Sequence, residues 1–177
     1  MVTLPKLLWL DLETTGLSLN DHCLEVGMVA TDSKLDVLGA TSFVLYFAGE
    51  ANLLDPYVLE MHTKNGLLAQ CKRTDWFINE VDQELTGFVK THWLDPLDRA
   101  ILAGRNIGSF DKIRLERWFP QTHALCHYRT FDMTTLYLYE EAQYPKGPTL
   151  HRSLPDIYSD LLELRHRLTK GASVIGG

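Results

Sequence analysis

Leu7-Leu8-Trp9-Leu10-Asp11-Leu12-Glu13-Thr14-Thr15-Gly16 is the stretch on which the reading of this chain turns. Four consecutive apolar residues ending at an acid suit a short buried strand, and Thr14-Thr15-Gly16 suits the turn that closes it. On a strand, side chains two residues apart point to the same side. Asp11 and Glu13 can therefore converge on one cation, and hard divalent cations prefer such oxygen ligands. The D-x-E spelling alone is weak, because Asp82-Gln83-Glu84 repeats it. That second copy lies in a segment with helical spacing, where positions i and i+2 do not share a face.

Working outward, residues 25–31 and 37–47 read as two more strands joined by the turn Asp32-Ser33-Lys34, giving an antiparallel hairpin or meander. Asp55-Pro56 opens a helix to residue 64, with Asn65-Gly66 as its stop. Helical spacing returns over 75–92, at Phe77, Val81, Leu85 and Phe88. Residues 100–104 are a short buried strand. A helix from Ser109 or Asp111 to Trp118 is closed by Pro120, and further helices cover 133–141 and 155–170. No repeat or linker interrupts the pattern. The expectation is one α/β domain over residues 1–170 with a mixed sheet, and a disordered tail over 171–177.

At 177 residues, 45% hydrophobic and 23% charged, the chain is not of a disordered, collagen-like or disulfide-stapled kind. No apolar run approaches the ~20 residues that span a bilayer, so no membrane is expected. Asp11 and Glu13 arrive too early for a signal peptide. Cys23, Cys71 and Cys126 form no C-x-x-C pair, which predicts reduced thiols and a cytoplasmic location. The net charge of −6 speaks against a broad basic surface for long nucleic acids. It is unevenly spread: residues 1–88 carry 5 basic and 13 acidic side chains, the remainder 12 and 10.

Two further motifs carry acids. Asn106-Ile107-Gly108-Ser109-Phe110-Asp111 follows the strand at 100–104, where Asp111 taken alone reads as an acid complementing a helix dipole. His151-Arg152-Ser153-Leu154-Pro155-Asp156 leads into the last helix, and Ser153-x-x-Asp156 there matches a capping-box-like start. His127 to Asp132 has the same His-to-Asp spacing, so spacing alone does not choose between the two.

Taken together and in order, these motifs resemble the DEDDh 3′–5′ exonucleases over residues 7–168. Within that superfamily the chain is most similar to the oligoribonucleases, whose distinctive mark is His127-Tyr128-Arg129. The resemblance implies an RNase H-like fold: a mixed five-stranded sheet, antiparallel meander plus parallel strands, flanked by helices. It implies two Mg²⁺ or Mn²⁺ ions held by Asp11, Glu13, Asp111 and Asp156, neutralising carboxylates that would otherwise repel. His151 is then the general base toward the attacking water, and Asp132 a non-ligand acid. The product is a 5′-nucleoside monophosphate.

The substrate contacts follow by the same resemblance. Leu17 wedges between the terminal bases and His62 lies beside the 3′ nucleoside. Tyr128 reaches the partner subunit's site across a homodimer, the alternative being a packed core aromatic. Arg129, with Thr134 and Ser109, binds the 5′ phosphate of a very short substrate. The chain departs from the subfamily at Thr14 (usually Met), at Pro155 (usually a second acid), and in lacking a tryptophan upstream of His62, where Leu59 and Glu60 stand nearby. The expected partner is the 3′ end of short single-stranded RNA. The alternatives are a 3′–5′ DNA exonuclease of the proofreading or phage-encoded kind, and a non-catalytic exonuclease-fold module. Presence of all five catalytic positions argues against the last. With four of the 23 acids at a metal site and no broad basic surface, the charge narrows the substrate to short ends.

Overall fold

Alternation along β1 (Leu7–Thr14) feeds two separate cores. Leu8, Leu10 and Leu12 pack with Val81, Leu85 and Val89 of one helix and Leu115 and Trp118 of another. Leu7 and Trp9, on the opposite face, pack with Ile157, Leu161 and Leu164 of the last helix. The first strand is thus buried on both sides, which is why it reads as a continuous apolar run. Asp11 and Glu13 continue the Leu7–Trp9 face, so the face that the last helix covers ends in acids.

The computed structural model describes residues 4–49, 55–95, 97–139 and 149–174. After β1 come β2 (Cys23–Thr31) and β3 (Val37–Val44), then α1 (Pro56–Lys64), α2 (Leu67–Cys71) and α3 (Ile78–His92). The chain continues through β4 (Ala100–Gly104), α4 (Asp111–Trp118), α5 (Pro120–His123), β5 (Cys126–Asp132), α6 (Met133–Tyr139) and α7 (Ser153–Val174). The five-stranded sheet has the order β3-β2-β1-β4-β5. β1, β2 and β3 pair antiparallel as the expected meander, while β4 lies parallel to both β1 and β5. Helical crossovers supply the connections that parallel neighbours require. This is the RNase H-like mixed sheet flanked by helices that the resemblance implied. Among the described residues no helix is long and apolar enough to cross a membrane.

Several boundaries differ from the sequence reading, each for a local reason. β3 ends at Val44 rather than at residue 47, because the amides of Tyr46 and Phe47 turn away to the carbonyls of Trp76 and Cys71. α3 begins at Ile78, not 75; the Glu80 carboxylate accepts from the Phe77 amide at 3.1 Å and fixes the start there. α7 begins at Ser153 and runs to Val174, past the expected end at 170. Gly171 costs a helix only about 1 kcal/mol and no proline follows to stop it. Of the expected tail, only 175–177 lie outside the described residues, as do positions 140–141 of the helix expected at 133–141. The strand at 126–132 has no clean alternation of burial and was not read from the sequence; the resemblance implied a fifth strand without placing it.

Candidate active site

β1 and β4 pair only from Leu7 to Trp9, so β1 outruns its neighbour by several residues. Into that gap reaches Asp111, the first residue of α4, whose Oδ1 accepts from the Leu12 amide at 3.1 Å. Asp111 does open α4, as a dipole-complementing acid would, but its side chain is buried and turned toward β1. From the other side, the N-terminus of α7 brings Asp156 over Glu13. Glu13, His151 and Asp156 each offer a ligand atom within 4.8 Å of the others.

The electrostatics are those of acids crowded out of water. Burial pushes the Asp11 carboxyl well above its ordinary range, and Asp111, Glu13, Asp156 and Asp160 push it further. Burial first, then Asp156 and Glu25, raises Glu13 to about 8. Burial likewise raises Asp111 to about 8, against the lowering effect of the Leu12 amide. The Oδ2 atom of Asp11 is buried with no hydrogen-bond partner. An orphaned carboxylate oxygen among mutually repelling carboxylates fits a bound divalent cation, and an oxygen-dominated donor set suits a hard one. Asp11, Glu13, Asp111 and Asp156 are the residues that would hold it.

The two His-x4-Asp segments separate cleanly. On β5, Asp132 accepts from the amides of Asn106 (3.1 Å) and Thr134 (2.9 Å), and His127 stacks on Tyr128. His151 is the histidine at the acids. Its backbone has φ +51°, the left-handed region unusual for a residue with a Cβ. The capping box expected at Ser153 does not form: Ser153 is already inside α7, and its buried Oγ has no partner. Asp156 Oδ1 accepts instead from the Leu150 amide at 3.0 Å. The loop before α7 is therefore tethered at its backbone.

A cleft of about 420 Å³ opens beside these acids, lined by Glu13, Leu17, Tyr57, Met61, His62, Phe110 and His151 among others. Leu17 stands 84% exposed at the rim. The chain carrying it is closed by the Thr15 amide on the His22 carbonyl, and Arg114 reaches across to the carbonyls of Leu17 (2.5 Å) and Ser18 (3.5 Å). His62 is fully buried at the floor, with Nε2 3.6 Å from Glu13 Oε2. Burial lowers its pKa, favouring the neutral ring. Tyr57 fills the cleft wall where no aromatic was expected from Leu59 and Glu60. The signal was present: Tyr57 and Met61 stand one helical turn apart beside His62.

Farther along, Ser109 and Thr134 meet on Asn106. Ser109 Oγ donates to the Asn106 carbonyl at 3.3 Å, and the Thr134 hydroxyl donates to Asn106 Oδ1 at 3.1 Å. The Arg129 guanidinium lies over the Tyr128 ring at 5.1 Å. Tyr128 is 71% exposed on the edge strand β5, which removes the packed-core alternative. Sequence reasoning also passed over Glu25, which is buried and accepts from Arg152 Nε (2.8 Å), Arg152 Nη2 (3.0 Å) and the Ser153 amide (3.3 Å). Glu25 pairs with Glu13 across β1 and β2, so this clamp fastens the start of α7 beside the acids.

A sequence profile of the family described as Exonuclease matches residues 8–164. Oligoribonucleases of Corynebacterium glutamicum and Mycolicibacterium paratuberculosis are each 32% identical to the chain, over 169 and 171 residues. The matches cover 90% of this chain and 76% and 78% of those relatives. Among solved structures, E. coli Exonuclease I in complex with a dT13 oligonucleotide superposes with a TM-score of 0.69 at 13% identity. That likeness covers 97% of this chain, which spans only 42% of the Exonuclease I chain. A zinc-ion-bound form of the E. coli ExoI–ssDNA complex superposes at 0.60 with 16% identity, covering 92% of this chain and 40% of the other. Both likenesses speak to the fold.

Proposed function

The chain belongs to the exonuclease family, and we infer that it is a metal-dependent 3′–5′ exoribonuclease hydrolysing short oligoribonucleotides to 5′-nucleoside monophosphates. The observation that carries this reading is the convergence of Asp11, Glu13, Asp111, Asp156 and His151 at one end of a cleft sized for a terminal nucleoside. When bound, divalent cations at the four carboxylates supply charge neutralisation and stabilise the oxygens that attack and leave phosphorus. His151 accepts the proton of the attacking water, and its tethered backbone holds the ring near the acids. Leu17 and Tyr57 flank the last base, while His62 and Phe110 close the pocket behind it. A strand end enters such a cleft more readily than the middle of a polymer.

We further propose Mg²⁺ or Mn²⁺ as the cations, a homodimer in which Tyr128 crosses to the partner's site, and a cytoplasmic location. Arg129, Thr134 and Ser109 are assigned to the 5′ phosphate. Initial rates on 5′-phosphorylated RNA and DNA of two, five and twenty nucleotides, with Mg²⁺ and Mn²⁺ compared, test the reading. The expected result is the highest kcat/KM on the RNA dinucleotide. Preference for DNA of twenty nucleotides would replace it with a DNA exonuclease.

A further inference from the structure

We propose that Asn65 is a positioning residue that couples occupancy of the 3′-nucleoside cleft at His62 to the placement of His151. The proposal rests on the function inferred above, in which His151 is the base and His62 faces the nucleoside. Asn65 is the C-cap of α1, three residues after His62. Its Oδ1 accepts from the Leu67 amide at 3.0 Å, which fixes the orientation of the side-chain amide. The Nδ2 group consequently faces acceptors: the His151 carbonyl at 2.7 Å, the Leu150 carbonyl at 3.4 Å and His62 Nδ1 at 3.4 Å. One amide group therefore touches both the wall of the cleft and the backbone of the base.

The strength of these contacts is unequal, and the inequality is informative. The bond to the His151 carbonyl is short, while the His62 ring and the Leu150 carbonyl share the remaining hydrogen at a marginal distance. His62 is buried, with its other nitrogen toward Glu13. His62 lines the cleft from beneath its surface, so a nucleoside seated there that shifts this ring, even slightly, commits or releases the second hydrogen of Asn65. The residue at the far end of the link is the one held at φ +51°, a conformation uncommon for a side chain with a Cβ and so sensitive to what supports it. Glu25 and Asp156 also anchor this loop, through Arg152, Ser153 and Leu150. Among these described anchors, Asn65 is the one whose side chain also reaches His62 in the cleft.

Asn65→Asp separates this role from local folding, because the carboxylate still accepts from Leu67 while offering no N–H to His151 or His62. Asn65→Ser repeats the test without added charge, since a serine hydroxyl supports the same turn but is too short to bridge. The substrates are a 5′-phosphorylated RNA dinucleotide and the same molecule with an abasic 3′ residue, assayed for kcat and KM with Mg²⁺. The wild-type kcat should fall about tenfold when the 3′ base is removed, the signature of a base placed by the bound nucleoside. In both variants kcat on the intact substrate should fall about tenfold and the intact-to-abasic kcat ratio should collapse toward one. A purely structural role lowers both rates together and leaves the ratio at its wild-type value. That outcome overturns the coupling, as does a wild-type ratio of one. Wild-type protein that cleaves neither substrate, or His151→Ala at full rate, overturns the functional reading itself.

Discussion

Gly27→Ala is a single methyl placed where the sheet and α7 touch. Gly27 lies opposite Asp11 in the β1–β2 ladder, and a Cβ on it would stand 2.5 Å from Ser153 Oγ, 2.7 Å from Ser153 Cβ and 3.2 Å from the Ser153 carbonyl carbon. Ordinary contact begins near 3.4 Å, so relieving the first two means a displacement of about 0.7–0.9 Å at the first residue of α7. Overpacking of that kind costs about 1–3 kcal/mol, or about 2–12 °C in Tm for a chain of this size. The functional cost should be larger than the stability cost. His151 and Asp156 flank Ser153, and a misplacement approaching 1 Å at a reacting group costs about 10²-fold in rate. Thermal unfolding and Mg²⁺-dependent turnover of a 5′-phosphorylated dinucleotide measure the two effects separately. Ser153→Gly removes both close atoms, and because Ser153 Oγ has no partner, little hydrogen bonding is lost with it. The double variant should therefore regain most of the activity. Gly27→Ala with a wild-type rate, or a lost rate that Ser153→Gly does not restore, would refute the argument that this close approach sets the site.

Three other outcomes follow from the same geometry. Glu13 and Asp111 are raised to about 8 chiefly by burial, so in metal-free protein the fold binds protons there that the unfolded chain releases. Their contribution to stability is then lost as pH rises from about 4 toward about 8; metal-free Tm should drop across that window and Mg²⁺ should raise Tm more at pH 8 than at pH 5, with a flat profile counting against the cluster. His151→Ala should lose at least about 10²-fold in kcat while His127→Ala loses far less, and the reverse order in steady-state rates would reassign the base. Arg114→Met removes the bonds to the Leu17 and Ser18 carbonyls and the stacking on Phe110, at 3.5 Å from its ring centroid. It should lower kcat/KM on a dinucleotide about tenfold, mostly through KM; a change confined to kcat would place Arg114 outside substrate positioning.

What could be read from the chain alone divides along a physical line. β1 was legible because burial on both faces and the acidic end are local facts of ten residues. The meander and the α1 boundaries were legible for the same reason, since Asp55-Pro56 and Asn65-Gly66 act within a single turn. Asp111 and His151 were not decided locally: each had an equally good bland reading, and a decoy shared the spacing of the second. Their placement beside Asp11 and Glu13 depends on β4 stopping short of β1 and on α7 pressing against Gly27, both long-range facts. Asn65 and Glu25 were passed over as site residues because their partners lie far off in sequence, whereas Tyr57 had a local signal beside His62 that went unread. Glu25 is the clearest case. In the strand pattern it is merely a charged residue, and only the approach of Arg152 makes its burial tolerable.

The same crowding explains how an acidic chain can act on an anion. Glu13, Asp111, Asp11 and Asp160 all have carboxyls raised by burial, so the protein by itself disfavours their joint ionisation. Asp160 is relieved by Arg105 at 2.5 Å, and Glu25 by Arg152, whereas no such arginine bonds Asp11, Glu13 or Asp156 among the described hydrogen bonds. Asp160 and Glu25 are thus bonded to arginines inside the fold, and in the proposed function Asp11, Glu13 and Asp156 are neutralised by bound cations. Under the proposed function, a phosphodiester meets a site whose charge would be set by bound cations and not by the −6 of the chain. Attraction of that kind is strong at one point and weak everywhere else on the surface, which favours substrates whose reactive bond lies within a nucleotide or two of both ends.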